Sequence, residues 1–207
     1  MDSALSYHQK AIDNLPSWSS SYVNKIETLV LKYGNTSEAR SLLDTALKKT
    51  GIGMAESKIL LDIYDRKFSA ALIEAEKYQP DRSHYIGEKY LYMADIYSYS
   101  ENLKEATIYY DSAFISLNND LELNNSDYSI HGYLGHACAG LKYKDKAIEE
   151  GRKAVEMIEY ENFDKSDMIL NLAKIFTMTG EFEEAANTID FLIRTPVTMP
   201  SCLSLED

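Results

Sequence analysis

A recurring triplet constrains this chain most: a small residue, a large one four positions later, and another small one three further on. The clearest copy is Ala106, Tyr110 and Ala113. An i, i+4, i+7 spacing places three side chains on one face of an α-helix. Because small residues at two of the places let a neighbouring helix approach closely, the triplet predicts helices packed in pairs. Further copies begin at Ala4, Ala39 and Ala147, and weaker ones at Ala71 and Ala185.

The spacing of these copies indicates a repeated unit. Successive copies begin 35, 32, 35, 41 and 38 residues apart, which is the period of helical hairpin repeats. A second amphipathic segment precedes the triplet, most clearly in Tyr90-x-x-Met93-Ala94-x-x-Tyr97. Gly34 and Gly180 each stand five residues before a triplet, where the end of a helix favours a left-handed residue. Each repeat is therefore predicted to be a helix, a short turn and a second helix.

This pattern resembles the tetratricopeptide repeat, a unit of about 34 residues with W-x-x-L-G-x-x-Y in its first helix and A-x-x-x-F-x-x-A in its second. The resemblance is strongest at 90–113 and weakest at 54–78, where Arg66-Lys67 occupy the turn. It implies an all-α fold, an α-solenoid of stacked antiparallel helix–turn–helix repeats forming a right-handed superhelix. We predict one array over 1–207, with a partial unit at 1–16, repeats at about 19–50, 54–80, 85–118, 127–160 and 165–193, and a non-helical tail at 194–207.

The long 41-residue step predicts an insertion within residues 116–129. Leu121 and Leu123 can extend the preceding helix, whereas Asn124 and Asn125 favour a turn. We therefore predict a longer helix followed by a polar loop. Because this acidic loop lacks the ligand spacing of an EF-hand, we predict no metal site there.

Composition excludes several classes of partner. The formal net charge of −12 opposes binding to a phosphate backbone, and no basic patch offsets it, so we predict no nucleic-acid partner. Apolar runs such as Ile59-Leu60-Leu61 are too short to span a membrane. The first fifteen residues show no secretory signal, and Cys138 and Cys202 are too few for a disulfide framework. We therefore predict a cytoplasmic protein that does not bind membranes.

No motif in the sequence carries recognisable enzyme chemistry. Phosphate-binding loops, zinc-protease helices and nucleophile elbows are all missing. The densest group of reactive side chains is His131, His136 and Cys138, whose spacing does not converge on a metal. In the repeat alignment His131 and Cys138 occupy core positions, and His136 faces the groove. We predict no enzymatic activity, no cofactor and no bound metal.

The resemblance also implies a binding surface, because the concave groove of tetratricopeptide repeats is lined mainly by first helices. It favours a protein–protein interaction scaffold that binds a peptide or partner domain of basic or apolar character. Leu91 and Gly132 stand where chaperone-binding members carry basic residues, which disfavours that role. We expect Tyr99→Ala with Asp95→Ala to weaken binding at little cost in stability. The candidate groove residues are Asn24, Thr28, Glu88, Asp95, Tyr99, His136, Lys174 and Met178.

Both ends of the chain present apolar residues without obvious cover, such as Leu5 and Phe191. Two hypotheses remain open: the chain is a fragment of a larger protein, or its uncapped ends self-associate. The segment Pro200-Ser201-Cys202-Leu203-Ser204 weakly resembles the end of the repeat region in bacterial regulators that carry an amino-terminal effector. The alternative function is therefore a regulatory or sensory segment that controls an effector domain in a larger multidomain signalling protein.

Overall fold

The computed structural model of this protein describes residues 3–80, 86–158 and 164–194. Within these residues every regular element is an α-helix. Two compact units are distinguished, unit 1 (Met1–Tyr78 with Ile96–Glu101) and unit 2 (Gln79–Asp95 with Asn102–Asp207). The helices are α1 (Ser3–Asn14), α2 (Ser19–Tyr33), α3 (Thr36–Thr50), α4 (Ala55–Tyr64), α5 (Phe68–Lys77), α6 (Ile86–Tyr99), α7 (Leu103–Leu123), α8 (Tyr128–Gly140), α9 (Lys144–Glu156), α10 (Asp164–Thr179) and α11 (Phe182–Arg194).

In both units consecutive helices pack as antiparallel hairpins. In unit 1, α2 contacts α3 and α4 contacts α5; in unit 2, α8 contacts α9 and α10 contacts α11. The first helices of neighbouring hairpins also touch, α2 with α4 and α8 with α10. This confirms the predicted all-α fold of stacked helix–turn–helix repeats. The predicted non-helical tail lies outside the described residues apart from Arg194, which still belongs to α11. Among the described helices, none is long and apolar enough to cross a membrane.

The hairpin turns share one left-handed residue. Gly34 and Gly180 have φ angles of 60° and 83°, as predicted from their distance to the triplet. In other hairpins Arg66, Glu101 and Lys142 take the same conformation, with φ between 58° and 66°. A residue with a Cβ pays roughly 1–2 kcal/mol for this conformation. The packing of the two helices therefore imposes the turn. Glycine lowers the conformational energy of the turn but is not required for it.

Helix α7 is the longest helix described and accounts for the irregular step in the repeat. It holds 21 residues, against 10 to 15 in α3, α5, α9 and α11. It ends at Leu123, and the side-chain oxygen of the next residue, Asn124, accepts a hydrogen bond from the Ser126 hydroxyl at 2.9 Å. Residues 124–126 are exposed. These observations confirm the predicted helix extension and the polar loop after it.

The triplets are buried where helices cover them on two sides. Ala39, Leu43 and Ala46 of α3 are at most 4% exposed, whereas Ala11 is only partly buried and Ile189 is 43% exposed. Helix α3 contacts α2 of its own hairpin and α4 of the next one, and α9 contacts α8 and α10 in the same way. Among the described residues, α1 contacts α2 and α11 contacts α10. One neighbouring helix covers only part of the face that the triplet defines.

Glycine sets the closest approach of two helices in unit 2. A Cβ on Gly135 would lie 2.9 Å from the Ala147 carbonyl oxygen and 2.9 Å from the Gly151 nitrogen. Both of those atoms belong to the backbone of α9, which cannot move aside as a side chain can. Gly135 and the small residues of the α9 triplet therefore let the α8 and α9 backbones touch, as the spacing of small residues predicts.

Candidate functional site

Three of the predicted groove residues meet in unit 2. Asp95 lies on α6, His136 on α8 and Lys174 on α10. The Asp95 carboxylate accepts a hydrogen bond from His136 Nε2 at 3.0 Å through Oδ1, and forms an ion pair with Lys174 Nζ at 2.6 Å through Oδ2. Their side chains are 13%, 7% and 34% exposed, respectively. One carboxylate thus joins the first helices of three successive hairpins.

A second helix contributes the fourth member of this group. The Tyr110 hydroxyl of α7 donates a hydrogen bond to Asp95 Oδ1 at 2.7 Å, and its ring centroid lies 6.0 Å from that of His136. A Cβ on Gly140 would collide with the ring of Tyr110, so this glycine makes room for the ring. We call Asp95, Tyr110, His136 and Lys174 the Asp95 cluster.

The cluster is arranged to keep its carboxylate ionised. Burial alone would raise the pKa of Asp95, but its electrostatic interactions and hydrogen bonds with His136 and Lys174 outweigh burial and hold that pKa well below its usual range. Burial lowers the pKa of His136, and the nearby charge of Lys174 lowers it further, against the opposing effect of Asp95. Because an ionised carboxylate can only accept hydrogen bonds, the neutral imidazole carries its proton on Nε2.

These shifts predict that acid destabilises the protein through His136. The lowered pKa means that the unfolded chain binds a proton below about pH 6.5 while the folded chain does not. The free energy of unfolding should therefore fall as pH drops from about 6.5 toward the folded pKa, by up to about 1.4 kcal/mol per pH unit for this group. Urea denaturation between pH 7 and pH 5 measures this slope.

The matched variant for this prediction is His136→Gln, which keeps a side-chain donor but cannot titrate. Its free energy of unfolding should depend less steeply on pH than that of the wild type, and the contribution of other histidines cancels in the difference. Equal slopes in the two proteins would contradict the prediction. Below about pH 4 the wild type should lose further stability, because the depressed pKa of Asp95 leaves the folded carboxylate ionised while the unfolded one is protonated.

The remaining predicted groove residues lie outside the Asp95 cluster. In unit 2, Glu88 accepts a hydrogen bond from the Tyr133 hydroxyl at 3.1 Å, and Met178 is half-buried near the end of α10. In unit 1, the Thr28 hydroxyl donates to the Asn24 carbonyl oxygen at 2.8 Å, and both residues are half-buried. Tyr99, also in unit 1, is 47% exposed.

Two of the reactive side chains belong to the core, as predicted. Cys138 is fully buried, and burial raises the pKa of its thiol to about 11, which leaves it unreactive at neutral pH. His131 is 1% exposed, with Nδ1 at 2.6 Å from a Glu150 carboxylate oxygen and Nε2 at 3.3 Å from the Asn125 carbonyl oxygen. In the part of the chain that the structure describes, no group of acidic, histidine and cysteine side chains is placed to hold a metal ion.

Tyr110 is the site residue that sequence reasoning missed. The triplet pattern assigned it to the core as a large apolar residue, and it is indeed 4% exposed. The available signal was its hydroxyl, because a buried tyrosine needs a hydrogen-bond partner for that group. The partner, Asp95, lies fifteen residues earlier, on the first helix of the same hairpin. A polar residue on that helix, facing Tyr110, was therefore the partner to expect.

Several solved structures are similar to this chain at low sequence identity. No family model matches the sequence, and no curated protein does. YrrB, a TPR protein with an unusual peptide-binding site, is 18% identical over 88% of this chain and 89% of its own, with a TM-score of 0.38. BtubC (BKLC) from P. vanneervenii is 16% identical over 99% and 94%, with a TM-score of 0.45. MamA (41-end) from Desulfovibrio magneticus RS-1 is 17% identical over 84% and 93%, with a TM-score of 0.36.

Proposed function

We propose that this chain is a non-enzymatic interaction scaffold that binds a peptide or partner domain on the first-helix face of unit 2. The observation that supports this is the Asp95 cluster. Asp95, His136 and Lys174 occupy the same position in three successive repeats, each on a first helix. Because Asp95 contacts both other residues directly, this position lies on a shared face of the three helices. Side chains next to these positions can then act together on one ligand.

The cluster gives that face a fixed geometry. Asp95 is held by three donors from three other helices, so it cannot rearrange without breaking several charge-assisted bonds. A surface that is already ordered loses less conformational entropy when a ligand binds. The role of the cluster is therefore to preorganise the face, and the ligand contacts come from more exposed residues around it.

The chemistry of the exposed neighbours favours a basic or apolar ligand. Leu170, one turn before Lys174 on α10, is 52% exposed and offers an apolar contact. The one cation of the cluster, Lys174, is already neutralised by Asp95, while Glu88 adds a carboxylate that is hydrogen-bonded to a tyrosine. With the chain at a net charge of −12, the face attracts Lys, Arg and apolar side chains more than acidic ones.

Peptide selection tests this proposal. A random peptide library displayed on phage is selected on the wild-type protein, and the dissociation constants of the enriched peptides are measured by calorimetry. Leu170→Asp should weaken binding at least tenfold, about 1.4 kcal/mol, because it places a charge on the apolar contact. The matched control is Leu103→Asp on α7, a leucine that is 67% exposed and lies on a second helix.

Three results would count against the proposal. Peptides that bind the Leu170→Asp and Leu103→Asp variants equally would show that the first-helix face is not used. Failure to enrich any peptide that binds the wild type would reject peptide binding itself. Enrichment of acidic peptides would overturn the preference for basic or apolar ligands.

The alternative role as a regulatory segment of a larger signalling protein stays a prediction from sequence. The segment that suggests it, Pro200 to Ser204, lies outside the described residues. The reading frame that encodes the chain tests it directly: an effector domain encoded upstream would support the alternative, and a reading frame without one would contradict it.

A further inference from the structure

Helix α11 carries an exposed apolar stripe that the first-helix face does not include. Phe182, Ala186, Ile189 and Ile193 follow one another at intervals of four, three and four residues, which places them along one side of the helix. Phe182, Ile189 and Ile193 are 68%, 43% and 77% exposed. A different side of α11, which includes the buried Ala185, packs against Leu172 and Phe176 of α10 and thereby holds the stripe outward.

A charged edge runs beside this stripe, which we call the α11 stripe. Glu183, Asp190 and Arg194 are spaced by seven and four residues, so they share one side of the helix next to the stripe. Arg194 Nε lies 2.7 Å from an Asp190 carboxylate oxygen. The acidic end of this edge is at the first turn of α11 and the basic end is at its last residue.

We propose that α11 pairs in antiparallel orientation with α11 of a second copy of this chain. Such a pair has a two-fold axis, and the spacing makes the stripe complementary to itself about a point midway between residues 187 and 188. Phe182 then faces Ile193 of the second copy, and the small Ala186 faces the larger Ile189. The same axis brings Arg194 beside Glu183 of the second copy, twice, so both ends of the pair join opposite charges.

The self-complementary spacing of the stripe favours a second copy as its occupant, and the charge arrangement favours the antiparallel orientation. Antiparallel pairing places a basic end against an acidic end, whereas parallel pairing would place like charges together. The stripe is short, about 16 Å from Phe182 to Ile193 at 1.5 Å per residue. The pair therefore buries less surface than the roughly 1,200 Å² typical of stable interfaces, and the dimer is weak and depends on concentration.

Sedimentation equilibrium of the full chain over a wide concentration range tests the proposal. The wild type should dimerise reversibly, and Ile193→Asp should raise the dissociation constant at least tenfold. The matched control is Phe191→Asp, since Phe191 is also exposed, at 47%, but points away from the stripe. Arg194→Glu should weaken the dimer severalfold, and adding Glu183→Arg should restore it, because the exchanged charges again pair between copies.

Each other outcome overturns the proposal. A wild type that stays monomeric at the highest concentration rejects it, as does a dimer that Ile193→Asp leaves unchanged. A dimer insensitive to the charge exchange rejects the antiparallel register. If Ile193→Asp lowers the free energy of unfolding of a chain that is always monomeric, then another segment of the same chain covers the stripe. These variants do not test the proposed binding on the first-helix face, because none of them lies on a first helix.

Discussion

Asp95→Ala is expected to lower the free energy of unfolding by about 3–5 kcal/mol, the usual cost of removing one partner from a buried charged network. The alanine removes the carboxylate that accepts hydrogen bonds from the Tyr110 hydroxyl and the His136 ring, and these residues are only 4% and 5% exposed. Each buried donor that loses its partner costs about 1–3 kcal/mol. Of the three partners of Asp95, Lys174 contributes least to this loss of stability, because its side chain is 34% exposed and can turn toward water.

Urea denaturation monitored by circular dichroism measures this loss, with Asp111→Ala on α7 as the matched control. Asp111 is exposed, so its replacement should change stability by less than about 0.5 kcal/mol. Asp95→Asn should fall between the two, since the amide still accepts a hydrogen bond but carries no charge. If Asp95→Ala costs no more than the control, the cluster does not hold the three first helices together. The expected loss replaces the expectation from sequence that Asp95 can be removed at little cost.

Leu117→Ala is expected to cost about 2–5 kcal/mol, the range for a large aliphatic side chain removed from a core. Leu117 on α7 is fully buried, and a Cβ on Gly87 would lie 2.5 Å from its Cγ. The leucine therefore packs directly on the backbone at the start of α6. Leu103→Ala on the same helix is the control, because Leu103 is 67% exposed and should lose little.

A double-mutant cycle with Gly87→Ala sharpens this prediction. In the wild type the added methyl group collides with Leu117, an overpacking that costs about 1–3 kcal/mol. In the Leu117→Ala protein the same methyl group enters the space that the leucine left, so it should cost less or stabilise. The two substitutions should therefore be clearly non-additive in urea denaturation. Additive effects would show that Gly87 and Leu117 do not touch.

The hairpins were predictable because two signals agree. The triplet spacing marks each second helix, and Gly34 and Gly180 mark turns whose φ angles are indeed positive. The weak repeat at 54–78 still forms a hairpin, α4 with α5, although Arg66 occupies its left-handed position. Helix packing there outweighs the local preference of one residue. The absence of a glycine made this hairpin harder to predict from sequence, but it did not prevent the hairpin from forming.

Solvent exposure within the site was harder to predict. The repeat alignment assigned Asp95 and His136 to an open groove, and both are in fact mostly buried. Alignment gives the side of the helix on which a residue lies, but exposure depends on the size of its neighbours and on pairing between distant side chains. The same limit applies to Tyr90 and Tyr97: they hold the Trp and Tyr positions of the repeat, which the resemblance assigns to the core, and both are half-buried.

Hydrogen exchange of the wild type with and without a selected peptide tests the central claim most directly. If the ligand lies on the first-helix face of unit 2, backbone amides should gain protection in α8, in α10 and in the first turns of α6. The second helices α7 and α9, and α11 with its stripe, should exchange as they do in the free protein. Protection confined to the second helices, or none on α8 and α10 at saturating peptide, would contradict binding on the first-helix face.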